Sequence, residues 1–171
     1  VRSTLGGRLR GGPGGLTVSV GSGAMSGLMR SDLASGRFSN VIFIGPGTAA
    51  FAGGSVAAAI DAELAGTGIG VSSRPATELS GFGLRSDMTD TLVIAISQSG
   101  TTTDTNRTVD LVRARGGKVI AIVNRRNSDL TDRADGVLYT SDGRDVEMSV
   151  ASTKAFYAQT VAGFLLGVVL A

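Results

Sequence analysis

Short unbroken apolar runs alternate along this chain with longer stretches whose apolar residues recur at helical spacing. Residues 41–44, 69–72, 91–96, 118–123 and 137–139 are dominated by aliphatic and β-branched side chains. Each is bounded by glycine, proline or polar residues, as expected of strands buried on both faces of a sheet. Between them the pattern predicts a helix over 24–35 with Leu28, Met29 and Leu33 as its apolar side, and an alanine-rich helix over 48–64. Pro75 early in a turn suits a further helix start. A helix carrying Val109, Leu111 and Val112 runs to Arg115, where Gly116 and Gly117 end it. A short helix over 128–135, capped by Ser128, precedes the last strand. Strands alternating with helices predict an α/β fold in three layers, a five-stranded parallel sheet with helices on both sides.

The two ends depart from this rhythm. Residues 1–24 are glycine-rich without sustained periodicity and read as an irregular or extended lead-in, leaving 25–171 as a single domain. Residues 155–171 are apolar apart from Gln159 and Thr160. A membrane span needs ~20 apolar residues, so this stretch reads as a helix covered by protein and no membrane partner is expected. Helical spacing places Phe156, Gln159, Gly163, Leu166 and Gly167 on an outer association face. Tyr157, Val161, Phe164, Leu165 and Val168 then face the core. The chain stops inside this pattern without a cap, which reads as truncation before a further domain.

Composition narrows the chemistry. The chain has 171 residues, 42% of them hydrophobic and 18% charged, which suits one globular domain. It lacks cysteine, which excludes disulfides and thiolate chemistry and fits a cytoplasmic setting. It also lacks histidine, the commonest general base and transition-metal ligand, so no metal site is expected and no catalytic residue is assigned. Arg2, Arg8, Arg10, Arg30 and Arg37 face only Asp32 in the first forty residues. Aromatic residues are few there and no nucleic-acid motif occurs, so no nucleic-acid partner is expected. The N-terminus lacks the layout of a signal peptide.

Candidate chemistry concentrates where the strand over 91–96 runs into Ser97-Gln98-Ser99-Gly100 and then Thr101, Thr102 and Thr103. A strand, a hydroxyl-rich loop and a helix start follow one another within fifteen residues. The first N–H groups of a helix are unpaired and carry partial positive charge, which suits an anion such as phosphate. The hydroxyls add donors, and Gly100 permits close backbone approach. No lysine or arginine lies in the loop and the P-loop pattern is absent, so this is a neutral cradle. The alternative is that the hydroxyls only cap the helix, with Thr101 and Asp104 as a capping box.

The wording SQSGTTTDT closely resembles the S-Q-S-G-E-T-x-D-T segment of sugar isomerase (SIS) domains, specifically those of the glucosamine-6-phosphate synthases, with Thr101 in place of glutamate. Four further segments resemble that family in the same order. The opening STLGGRL is similar to T-L-x-G-R, and Ala76-Thr77-Glu78-Leu79 to A-S-E-F. Glu147 with Val150-Ala151-Ser152-Thr153-Lys154 is similar to G-x-E-x-x-V-A-S-T-K-A. At the first glycine turn, Gly45, Gly47 and Thr48 match G-x-G-T-S, with Ala49 replacing serine. The resemblance implies strand order 2-1-3-4-5 and a sugar phosphate, fructose 6-phosphate or glucosamine 6-phosphate, as ligand. It implies Thr48, Ser97, Gln98, Ser99, Thr102, Val150, Ala151 and Ser152 as binding residues and requires no cofactor. It further implies a first SIS domain in the isomerase half of a glutamine–fructose-6-phosphate transaminase (isomerizing). In that setting the acid/base groups come from a second SIS domain or a neighbouring subunit, and the partner is that domain or a homo-oligomer.

Other readings remain open on the residues alone. Gly45, Gly47 and Ala50 form the weaker G-x-G-x-x-A dinucleotide pattern, although the strand over 69–72 offers no acidic residue for a ribose. A non-catalytic sugar-phosphate sensor or another ketose/aldose phosphate isomerase would use the same loop. Ser152 or Thr153 also suits the cap of the final helix, and Lys154 a structural role.

Overall fold

The computed structural model describes residues 1–141 and 153–171. In chain order, α1 (Arg2–Leu5) leads into a hairpin of β1 (Leu9–Gly12) and β2 (Gly15–Val18). Then come α2 (Gly27–Ala34), β3 (Asn40–Gly45), α3 (Thr48–Glu63), β4 (Gly70–Pro75) and α4 (Ala76–Glu78), which runs on as a π-helical turn (Leu79–Gly83). The chain continues through β5 (Thr91–Ser97), α5 (Thr103–Arg113), β6 (Lys118–Val123), α6 (Asp129–Arg133), β7 (Gly136–Tyr139) and α7 (Lys154–Leu170). Strands β4-β3-β5-β6-β7 form one parallel sheet in that order. Numbered within the sheet, this is the expected 2-1-3-4-5.

Alternation of side chains along each strand separates two cores. Val41, Phe43, Leu92, Ile94, Ile96, Ile120 and Ile122 point to one face, against α2, α3 and α7. Ile42, Ile44, Val93, Ala95, Val119 and Ala121 point to the other, against α4, α5 and α6. Every residue of β5 is buried, which is why its sequence has no polar face. The helix boundaries follow local chemistry. Ser26 caps α2 by accepting a hydrogen bond from the Met29 N–H at 3.3 Å. After α5, Gly116 adopts φ +84° and the Gly117 N–H returns to the Val112 carbonyl at 3.1 Å, closing the helix two residues before Arg115.

Two expectations are corrected. The lead-in is not irregular: it forms a short helix and an exposed hairpin, and Thr4, Arg8 and Gly23 around them are tied to the β7 edge of the sheet. Thr4, fully buried, donates to the Thr140 carbonyl at 2.7 Å, and Arg8 donates to the Tyr139 carbonyl at 2.7 Å. The Gly23 carbonyl accepts from the Val137 N–H at 2.7 Å, and Val20, Ala24 and Met25 enter the main core. Tertiary pairing with an edge strand thus orders a segment that has no periodicity of its own.

The faces of α7 are also largely the reverse of those expected, although Leu165 is buried as expected. Gln159 is 1% exposed and Leu166 is buried, whereas Tyr157 and Val168 are each 62% exposed. A helix apolar on all sides carries no amphipathic signal, and its small residues decide the packed side. A Cβ on Gly163 would lie 2.8 Å from Val56, and one on Gly167 2.3 Å from Ile60, so these notches admit α3. Among the described residues no helix is long and apolar enough to cross a membrane.

At the amino-terminal end of the sheet, Asp90 gathers the connections between β3 and β5. Its carboxylate accepts from Ser39 at 3.1 Å, Asn40 at 3.0 Å, Thr91 at 2.9 Å and the Arg85 guanidinium. The hydrogen bond from Arg85 is the largest cause that lowers the Asp90 pKa to about 2. Because the folded value lies below the unfolded one of about 3.9, this stabilisation is complete above the unfolded value and is lost as pH falls through the folded one. Asp90→Asn is therefore expected to lower stability at neutral pH by about 1 kcal/mol, the scale of an exposed charge network. It should also flatten the acid limb of urea-unfolding stability below about pH 4. An acid limb identical to the parent protein's would remove Asp90 from that role.

Candidate functional site

Order reverses between β3 and β5. From β3 the chain passes through α3 to β4 on one side, then returns to β5 on the other. The carboxyl ends of these two strands therefore send their loops apart and leave a crevice, the place where open α/β sheets hold ligands. The two loops there are Gly45-Pro46-Gly47 and Ser97-Gln98-Ser99-Gly100. They can approach because Gly45 has no side chain: a Cβ would lie 2.9 Å from the Ile96 carbonyl oxygen. Gly47 turns with φ +49°, and Thr48, half-buried, opens α3.

The second loop is tied from within. The Gly100 N–H donates to Ser97 Oγ at 3.0 Å, so buried Ser97 shapes the loop. Ser99 Oγ accepts from the Thr101 N–H at 3.3 Å and from the Thr101 hydroxyl at 3.0 Å. The Gln98 carbonyl accepts from the N–H groups of Asn124 and Arg125, both at 3.3 Å, which fastens the loop to the end of β6. Gln98, Ser99 and Thr102 are half-buried at the surface of the crevice.

Thr102, not Thr101, is the N-cap residue of α5, and its side chain makes no capping hydrogen bond. The capping box considered for Thr101 and Asp104 does not form. The leading N–H groups of α5 therefore have no side-chain cap, and they open beside the hydroxyls of the loop. Such an arrangement offers hydrogen-bond donors and partial positive charge without a cation. It suits an oxyanion held by neutral groups. Among the described residues no cluster of three histidine, cysteine, aspartate or glutamate side chains can hold a metal ion.

Thr48, Ser97, Gln98, Ser99 and Thr102 all lie on the two crevice loops and the helix starts that follow them. Glu147, Val150, Ala151 and Ser152 lie outside the described residues. Thr153 occupies the N-cap position of α7 without a side-chain capping bond. Beside the crevice, a cleft of ≈ 570 Å³ reaches toward the end of β4, lined among others by Gly47, Phe51, Ser73, Thr77 and Thr105.

Sequence reasoning missed the residues that hold the loop from behind. The Gly100 carbonyl accepts from the Leu130 N–H at 2.9 Å and from Asn106 Nδ2 at 3.3 Å. Gly100 has φ +67°, and Ser128 sits where its Cβ would be, with Oγ only 2.1 Å from that point. Asn106 had left a signal, since asparagine is a poor choice inside a helix and its burial needs a local reason.

Residues 37–169 match the family described as SIS domain. The glutamine--fructose-6-phosphate aminotransferase (isomerizing) of Corynebacterium efficiens is 53% identical over 81 residues, 47% of this chain. The chain spans only 13% of that relative's length. Among solved structures, the C-terminal domain of glucosamine-fructose-6-phosphate aminotransferase from Francisella tularensis is similar with a TM-score of 0.70 at 27% identity, covering 89% of this chain and 41% of that one. Glucosamine-6-phosphate deaminase from Thermotoga maritima shares the fold with a TM-score of 0.64 at 21% identity, covering 80% of this chain and 41% of that one.

The packing around Gly100 has a measurable consequence. Gly100→Ala is expected to lower stability by about 1–3 kcal/mol, through the positive φ and the overlap with Ser128. In urea unfolding, Ser128→Gly in the same chain should recover the overlap and leave the backbone cost. Equal stability of Gly100→Ala and the parent protein would contradict this packing.

Proposed function

This chain belongs to the SIS domain family, and from that premise we propose that it binds a sugar phosphate within an isomerase half that converts fructose 6-phosphate to glucosamine 6-phosphate with glutamine-derived ammonia. The observation that carries the reading is the hydroxyl-rich loop 97–100 at the strand-order reversal, beside a helix start whose N-cap side chain is not spent on capping. Ser99 and Thr102 hydroxyls, with the leading N–H groups of α5, surround the phosphate; Ser97 shapes the loop and Gln98 lends backbone to it. Thr48, across the crevice at the start of α3, contacts the sugar. Val150, Ala151 and Ser152, which lie outside the described residues, are sugar contacts by the family resemblance alone.

The reaction opens the sugar ring, forms an imine with ammonia and moves a proton between C1 and C2. Those steps need a general acid/base and a lysine, which on this reading come from a companion domain or subunit. The chain accordingly binds substrate without turning it over alone, in a cytoplasmic setting and without a cofactor. Fructose 6-phosphate titrated calorimetrically into the chain is expected to bind. Ser99→Ala and Thr102→Ala should each weaken binding by about 0.5–2 kcal/mol, more where a charged acceptor loses its donor. Unchanged affinity in both variants would reduce the loop to a structural turn. Turnover by the purified chain would require an acid/base within it, with Glu147 tested first.

The partner on this reading is a second SIS domain or another copy of the chain, docked on the exposed side of α7. Tyr157, Phe164 and Val168 form an apolar stripe there, next to a cleft of ≈ 330 Å³ shared with α3. Light scattering over a dilution series should show concentration-dependent association that Val168→Lys abolishes. A parent protein that stays monomeric at high concentration would overturn self-association.

A further inference from the structure

Hydrogen bonds on one carbonyl decide what the crevice presents to an anion. In a planar trans peptide the C=O and the N–H of the same unit point in opposite directions. The Gly100 carbonyl belongs to the same unit as the Thr101 N–H. It points inward, held by the Leu130 N–H at 2.9 Å and Asn106 Nδ2 at 3.3 Å. The Thr101 N–H consequently points outward, to the side of Ser99 Oγ at 3.3 Å. Rotation of that unit would turn the Gly100 oxygen toward the cradle, where it would repel an oxyanion. Glycine is the residue that tolerates such a rotation most readily, so its conformation needs an external lock.

Leu130 contributes a backbone group that most side chains at that position would supply. Asn106 is different, because its amide is specific. It is 6% exposed, and its Oδ1 has no hydrogen-bond partner among the described residues. The orientation follows from donor and acceptor chemistry, since Oδ1 turned toward the Gly100 oxygen would set two acceptors together. Beside it, Ser128 Oγ is also buried without a partner among the described residues, packed against Gly100. An apolar side chain of the same size would fill the Asn106 position without burying an unpaired oxygen. As a stability element, then, Asn106 is a poor choice. As a hold on one carbonyl it has a clear use.

We propose that Asn106 is a positioning residue of the anion site: it holds the Gly100 carbonyl inward and so keeps the Gly100–Thr101 peptide with its N–H toward the hydroxyl cradle. The proposal rests on the sugar-phosphate reading and assigns Asn106 no contact with ligand. Asn106→Leu separates a lock from a packing role. The variant loses the donor and the buried unpaired oxygen together, so its thermal stability should equal or exceed the parent's. Its affinity for fructose 6-phosphate should nevertheless fall by about fivefold or more, the weight of one hydrogen bond. Inorganic phosphate should lose affinity in the same proportion, because the peptide N–H is bonded to Ser99 Oγ, which on this reading faces the phosphate and not the sugar. In the NMR spectrum the contact between Gly100 Hα and the Thr101 N–H, which reports the orientation of that peptide, should change or broaden in Asn106→Leu. Affinity within about twofold of the parent for both ligands, or an unchanged Gly100–Thr101 contact, would overturn the lock. A parent chain that binds neither ligand defeats the sugar-phosphate reading instead, and the NMR comparison still decides whether Asn106 sets the peptide.

Discussion

A parallel sheet must be covered on both faces, and in this molecule the covering of β5 is complete. Most other features follow from that constraint. Crossover connections have to place helices on the two faces, so α2, α3 and α7 lie on one side and α4, α5 and α6 on the other. Polar chemistry is driven out of the layers to the ends of the strands. At the carboxyl ends, the α3 and α5 helix starts emerge beside each other because the strand order reverses between β3 and β5. That geometry gathers hydroxyls and backbone N–H groups at one end of the sheet, an arrangement that suits an anion and needs no buried charge.

The two ends of the sheet are consequently different in kind. The amino-terminal end is fastened by charge, with Arg85 and neighbouring hydroxyl and amide groups converging on the Asp90 carboxylate. The carboxyl end is fastened by neutral hydrogen bonds within and behind the loop. Separation of this sort keeps the exposed Arg85–Asp90 ion pair away from the crevice. An anion arriving at the crevice meets oriented dipoles and no competing carboxylate on the loop itself.

Glycine has distinct jobs that one count of 26 residues conceals. Gly45 lets one loop touch the backbone of the next strand, and Gly100 lets the loop over 97–100 turn back against Ser128. Gly163 and Gly167 serve packing, by admitting Val56 and Ile60 into α7. In each case the missing side chain allows a backbone to approach something that a methyl group would exclude.

Periodicity alone determined the alternation of strands and helices and the three-layer α/β class, because burial on both faces erases polar positions from a strand. Local wording marked Ser97, Gln98, Ser99 and Thr102 as one loop, since a hydroxyl-rich turn between a buried strand and a helix is a contiguous signal. What remained hidden depended on contacts distant in sequence. The ordering of residues 1–24 came from pairing with the edge of β7, a neighbour more than a hundred residues away. The packed face of α7 was decided by its fit to α3, because an all-apolar helix has no moment to orient it. Asn106 and Ser128 acquired their roles only when α5 and α6 closed behind Gly100. A side chain whose partner is a single backbone carbonyl in a folded loop leaves no pattern along the chain, and only the tertiary structure can bring the two together.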